Sequence, residues 1–203
     1  MKLEPSFYTR KNVVSVARSL IGKLLVTTND GSQTSGIIVE TEAYSWKERG
    51  CHAYGGRKTA RNEVMFEEGG RAYVYLCYGV HNLFNVVTNQ RGVADAVLVR
   101  AIEPVTGVEE MYRRRGQVSL YQLTSGPGKL TRALGIDRTY NGKGLYDDDV
   151  WIEDIGMKIN SKYIEAGKRI GIDYAGADAN LPWRFWVRGN KWVSRIQNLR
   201  FKI

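Results

Sequence analysis

Carboxylates and a tyrosine recur at every second position in IIVETEAY (Ile37 to Tyr44), as Glu40, Glu42 and Tyr44. In an extended chain successive side chains alternate faces, so these three share one side while Val39, Thr41 and Ala43 take the other. If both carboxylates are shielded from water, each disfavours ionisation of the other, so one needs a cationic or hydrogen-bonding partner. That pattern suits a catalytic pocket. A solvated strand edge with an arginine nearby is the competing reading, and spacing leaves Glu40 and Glu42 equal.

Other residues able to do chemistry lie close in sequence. Ala96 to Ile102, AVLVRAI, is a buried-strand pattern interrupted by Arg100, and a guanidinium there must find anions or carbonyls; Glu40, Glu42 or a phosphate would serve. His52, one of two histidines, sits in the glycine-rich loop Trp46 to Ala60, which also carries Arg57 and Lys58. Arg71 to Tyr78 alternates with Tyr73, Tyr75 and Cys77 on one face, turns at Gly79 to Asn82, and returns as Leu83 to Thr88. Tyrosines pack well on half-buried sheets. They also stack on nucleic-acid bases, and one at a hairpin tip can wedge between base pairs.

TSGPGKLTRALG (Thr124 to Gly135) reads as a glycine-rich turn opening a helix, with Lys129 and Arg132 in its first turns. Free amides at a helix start favour anions. The Walker spacing is absent, so a backbone phosphate fits better than a nucleotide triphosphate.

The elements that must position these groups follow from periodicity. Asn12 can cap a helix with Val13, Val14, Ala17, Leu20 and Ile21 on its apolar side, ended by Gly22. Leu24 to Thr28 and Thr34 to Tyr44 form a hairpin around Asn29-Asp30-Gly31. Asn62 to Phe66 is a helical turn, and Val105 to Arg115 an amphipathic helix ending in three arginines. Val150 to Glu153, Arg169 to Asp173 and Arg184 to Arg188 are expected strands.

Composition narrows the classes. With 30 Lys plus Arg against 21 Asp plus Glu, a charge of +9 favours a polyanionic partner such as nucleic acid. No apolar run approaches the roughly 20 residues of a membrane span. Two cysteines and an N-terminus without the apolar core of a signal peptide predict a reducing, cytoplasmic compartment, nucleoid-associated in a bacterium. Adjacent Cys51 and His52 are poorly placed to share a metal ion with Cys77 and His81, so no metal or other cofactor is expected. There is no G-x-S-x-G turn for a serine hydrolase. No linker or repeat divides the chain, and one domain over 1–203 is expected.

Taken together, ETEAY, the His52 position, GGRKTARN, YVYLCYG with Asn85 after it, VLVRAIEP and TSGPGKL resemble, in order, the alkyladenine (3-methyladenine) DNA glycosylase family. The resemblance implies an α+β fold: a single compact domain with a curved, open, barrel-like antiparallel sheet, flanking helices and a protruding hairpin. It implies a monofunctional enzyme, acting as a monomer on double-stranded DNA, that cuts the N-glycosidic bond of alkylated or deaminated purines. Glu42 would be the general base activating water, with Arg100 helping to hold it. Tyr44, His52 and Tyr75 would sandwich the flipped base, Asn85 would crowd the exocyclic amine of normal guanine, and Tyr78 would fill the vacated stack. Arg57 and Lys129 would grip the backbone. A non-catalytic module that stacks bases on tyrosines is the alternative; it leaves Glu42 and Arg100 without a task.

Overall fold

The computed structural model describes residues 1–29 and 31–194; Asp30 of the expected turn and residues 195–203 of the expected domain lie outside the described residues. In chain order the helices are α1 (Pro5–Tyr8), α2 (Val13–Leu20), α3 (Val108–Arg115) and α4 (Pro127–Leu134). The strands are β1 (Leu24–Asn29), β2 (Ser32–Tyr44), β3 (Ala72–Cys77), β4 (His81–Thr88), β5 (Asp95–Thr106), β6 (Val150–Glu153), β7 (Ile164–Gly167) and β8 (Arg184–Val187).

All eight strands join one open antiparallel sheet in the order β3-β4-β5-β2-β1-β6, with β8 on the second half of β2 and β7 on β8. The fold is the expected α+β class. Its long strands β2 and β5 pair along most of their length, but the register shifts between Ile38 and Thr41. Val39 and Arg100 face no partner there, and such bulges bend a sheet and re-aim side chains.

The two faces of the sheet have different contents. Val39, Ala43, Val74, Phe84, Val86, Val97 and Val99 point into the main core, where Val16, Ala17 and Leu20 of α2 and Leu130 and Leu134 of α4 meet them. Asn12 caps α2 by accepting from the Ser15 amide at 3.0 Å. The other face carries a smaller apolar cluster, including Cys51, Ala53, Met65, Val87 and Ala96, under the loop that follows β2.

Several expectations are corrected. β5 continues through Thr106, so α3 starts at Val108 after Gly107, whose left-handed φ of +71° and 2.5 Å approach of an added Cβ to the Gln33 carbonyl require glycine. The hairpin turn is Tyr78 to Val80, because Cys77 and His81 already pair. No strand forms at Arg169 to Asp173; β7 lies earlier, and Arg169 gives its guanidinium to distant acceptors instead. Among the described residues, no helix is long and apolar enough to cross a membrane.

Candidate active site

Sheet register builds a row across one face. Glu42 pairs with Leu98, Leu98 with Asn85 and Asn85 with Tyr73, and directly paired residues point to the same side. Tyr44 and Tyr75 lie on that face as second neighbours of Glu42 and Tyr73. Residues from four strands, scattered over positions 42 to 98, therefore converge.

Glu40 and Glu42 are both fully buried. The bulge at Arg100 aims its guanidinium between them, with Nε 3.1 Å from Glu40 Oε1 and Nη1 3.2 Å from Glu42 Oε2. Burial opposes the Arg100 charge, but Glu42 and Glu40 outweigh that cost and raise its pKa. Glu40 also accepts from Arg184 Nε at 2.7 Å and from the Ser194 amide and hydroxyl at 2.7 and 2.8 Å. Among the described residues it has four donors, three of them on Oε1.

Among the described residues Glu42 has three donors: Arg100, the Tyr44 hydroxyl at 2.8 Å and the Ile170 amide at 2.8 Å. A carboxylate offers about four acceptor sites, which leaves room for one more donor, such as a water. Burial, and then the Glu42 charge, push the Tyr44 phenol well above its ordinary pKa, so it stays protonated and keeps donating.

Three strands along the row from Glu42 lies an aromatic group. The His52 and Tyr75 rings pack edge-on with centroids 4.6 Å apart, and Tyr73 tilts against Tyr75 at 5.4 Å. His52 Nδ1 and the Tyr73 hydroxyl share a hydrogen bond of 2.9 Å. Although His52 as a residue is open to solvent, its ring is desolvated by this packing, which, together with the nearby Arg61 cation, pushes its pKa down to about 4. The imidazole is neutral at ordinary pH. Buried Asn62 holds the loop by donating from Nδ2 to the His52 and Arg57 carbonyls, each at 2.9 Å. Cys51 is packed among apolar groups, and burial pushes its thiol up to about 12.

Asn85 is buried and donates to the Tyr73 carbonyl at 3.0 Å. Tyr78 stands at the hairpin tip, 91% exposed, with a left-handed φ of +49° beside Gly79 at +71°. Both central residues of the turn thus have positive φ, the geometry that follows strand twist. A bulky tyrosine in that region is strained, and such strain is a feature of functional sites. The hairpin next to its tip is braced by α4: an added Cβ at Gly128 would come 2.8 Å from His81 Cγ, and Thr131 donates to the Asn82 carbonyl at 2.7 Å.

A model of the family described as Methylpurine-DNA glycosylase (MPG) matches residues 6–191. The chain belongs to the methylpurine-DNA glycosylase family. Family members hydrolyse N-glycosyl bonds, so this glycosylase is an enzyme and not a passive stacking module, and DNA is its substrate class. It is 46% identical over 205 residues to a Bacillus cereus (strain G9842) protein named "Putative 3-methyladenine DNA glycosylase", covering 96% of this chain and 100% of that one. A Clostridium acetobutylicum protein of the same name is 45% identical over 206 residues, covering 97% and 99%.

The glycosylase structure brings Glu42, Arg100, Tyr44, His52, Tyr75 and Asn85 together on one sheet face or its covering loop. Arg57 is exposed in that loop. Lys129 on α4 is half-buried and donates to Gln122 Oε1, so its ammonium is engaged within the protein. Sequence reasoning did not single out Arg169, Glu48, Arg184 or Arg61 as site residues. Arg184, between Trp183 and Phe185, carries the signal that marked Arg100: an arginine inside an apolar run. Arg61 stands 5.1 Å over the Tyr75 ring.

Proposed function

We propose that this glycosylase removes alkylated and deaminated purines from duplex DNA, the class of 3-methyladenine, 7-methylguanine, hypoxanthine and ethenoadenine, by flipping the nucleotide and attacking it with water activated by Glu42. The observation that carries this reading is Glu42 itself: a buried carboxylate with three donors among the described residues, Arg100, Tyr44 and the Ile170 amide, on the sheet face that also carries Tyr75 and Asn85. The relatives named for 3-methyladenine support the lesion class.

A glycosidic carbon inside the duplex is out of reach, so the nucleotide must be extruded at a cost of a few kcal/mol. Tyr78 is the wedge that fills the gap. The flipped purine stacks on Tyr44, His52 and Tyr75, where electron-rich rings favour an electron-poor, alkylated base. Asn85 crowds the exocyclic amine of normal guanine. As the base leaves, positive charge grows on the sugar; ionised Glu42 stabilises it and takes a proton from the water, with Arg100 holding that water. No lysine lies on β2 to form a Schiff base, in keeping with base removal without strand cleavage. Arg57 and Lys129 take backbone phosphates, Lys129 by leaving Gln122. One asymmetric lesion needs one monomer.

The test is Glu42→Gln on hypoxanthine-containing duplex. Binding is expected to persist while single-turnover base release falls by several orders of magnitude; near-normal release would sink the assignment.

A further inference from the structure

Glu42 is oriented by groups that lead back to one side chain. Arg169 is buried, and its guanidinium forms a two-pronged pair with buried Glu48, Nη1 to Oε1 at 2.6 Å and Nη2 to Oε2 at 2.8 Å. Nη1 also donates to the Ala43 carbonyl at 2.8 Å and Nη2 to the Asp178 carbonyl at 3.2 Å. Its Cζ lies over the Tyr44 ring, 4.7 Å from the centroid, and over the Trp183 ring at 5.3 Å. One residue thus ties together the end of β2, the loop after it, and the segment from 169 to 178.

Two of the three donors to Glu42 depend on those attachments. The Tyr44 hydroxyl reaches Oε2 from a ring stacked on Arg169, and the Ile170 amide that reaches Oε1 belongs to the next residue in the chain. We infer that Arg169, locked by Glu48, is a positioning residue for base excision, holding the Tyr44 hydroxyl and the Ile170 amide on Glu42 so that its free acceptor site faces the attacking water. This rests on Glu42 being the base. Lysine could keep the charge but not the planar fork or the stacking.

Single-turnover release and binding of hypoxanthine-containing duplex, with melting temperature as the control, are to be measured for Arg169→Lys, Glu42→Gln and their combination. A fourth variant, Glu48→Leu with Arg169→Met, replaces the ion pair by apolar groups, so that no buried charge is orphaned if Arg169→Lys fails to fold. Misplacement of a catalytic group by about 1 Å costs on the order of 100-fold, so a rate loss of that size is expected in both Arg169 variants, larger than any loss of affinity. Added to Glu42→Gln, Arg169→Lys should lower the rate no further. A folded apolar-pair variant with the wild-type rate would overturn the inference, as would a full additional loss in the Glu42→Gln background. Near-normal release by Glu42→Gln alone would instead remove the Glu42 reading.

Discussion

Glu40 and Glu42 stand two residues apart on one strand face, both fully buried and both bonded to Arg100. Their surroundings nevertheless differ in kind. Among the described residues Glu40 meets Arg100, Arg184 and both polar groups of Ser194, three of these four donors crowding onto Oε1, and they tie β2, β5, β8 and the chain after β8 together. Among the described residues Glu42 has three donors, one of them the hydroxyl of Tyr44, whose ring a base can stack against. A carboxylate held by two guanidinium groups suits a structural joint, whereas one held by a single guanidinium and a tyrosine hydroxyl suits a site that meets substrate and water.

The contrast is tested first at the two carboxylates. Glu42→Gln should lower single-turnover excision by roughly 10³-fold or more, the range of positioned general-base catalysis. Glu40→Gln should act on the fold instead. Leaving Arg184 and Arg100 undercompensated costs about 3–5 kcal/mol, which lowers the melting temperature by about 10 °C for a domain of this size, while the folded fraction retains most of its excision rate. Equal rate losses in the two variants would erase the distinction.

Smaller effects sharpen it at the periphery. Tyr78→Ser should weaken binding to a well-paired lesion by about 10-fold, the scale of one lost stacking contact, with less loss on weakly paired lesions. Unchanged binding in every duplex context would argue against a wedge. Arg57→Ala and Lys129→Ala should each lower the slope of log affinity against log salt by about one if each residue meets a phosphate. For Lys129, already bonded to Gln122, no change in slope would mark it as structural.

The smallest effect concerns His52, followed by NMR titration. Its midpoint should fall near 4, not the ordinary 6.5, and Arg61→Ala should raise it. Because the folded value is the lower one, the unfolded chain holds more protons between those two pH values. The His52 contribution therefore makes stability fall as pH drops through that window and has no effect above it. A midpoint near 6.5 would show that the ring is not desolvated.

Much of the framework was legible locally. The α2 cap, the β1–β2 and β3–β4 hairpins and the β5 run were readable because capping and two-residue alternation depend on near neighbours. Arg100 was legible because a charge in an apolar run demands a partner. The segment at Arg169 was misread as a strand, because Ile170 and Ile172 mimic alternation while the arginine is held by Glu48, 121 residues away.

By itself, the sequence determined that Glu40, Glu42 and Tyr44 share a face, that Arg100 needs anions or carbonyls, and that tyrosines line a hairpin. Only the tertiary structure decided that two guanidinium groups meet Glu40 and one meets Glu42. The donors that fill Glu40 come from Arg184 and Ser194, 144 and 154 positions along the chain, and the amide on Glu42 from Ile170, 128 positions away. Spacing acts over a few residues, but hydrogen-bond saturation depends on whatever long-range packing brings alongside.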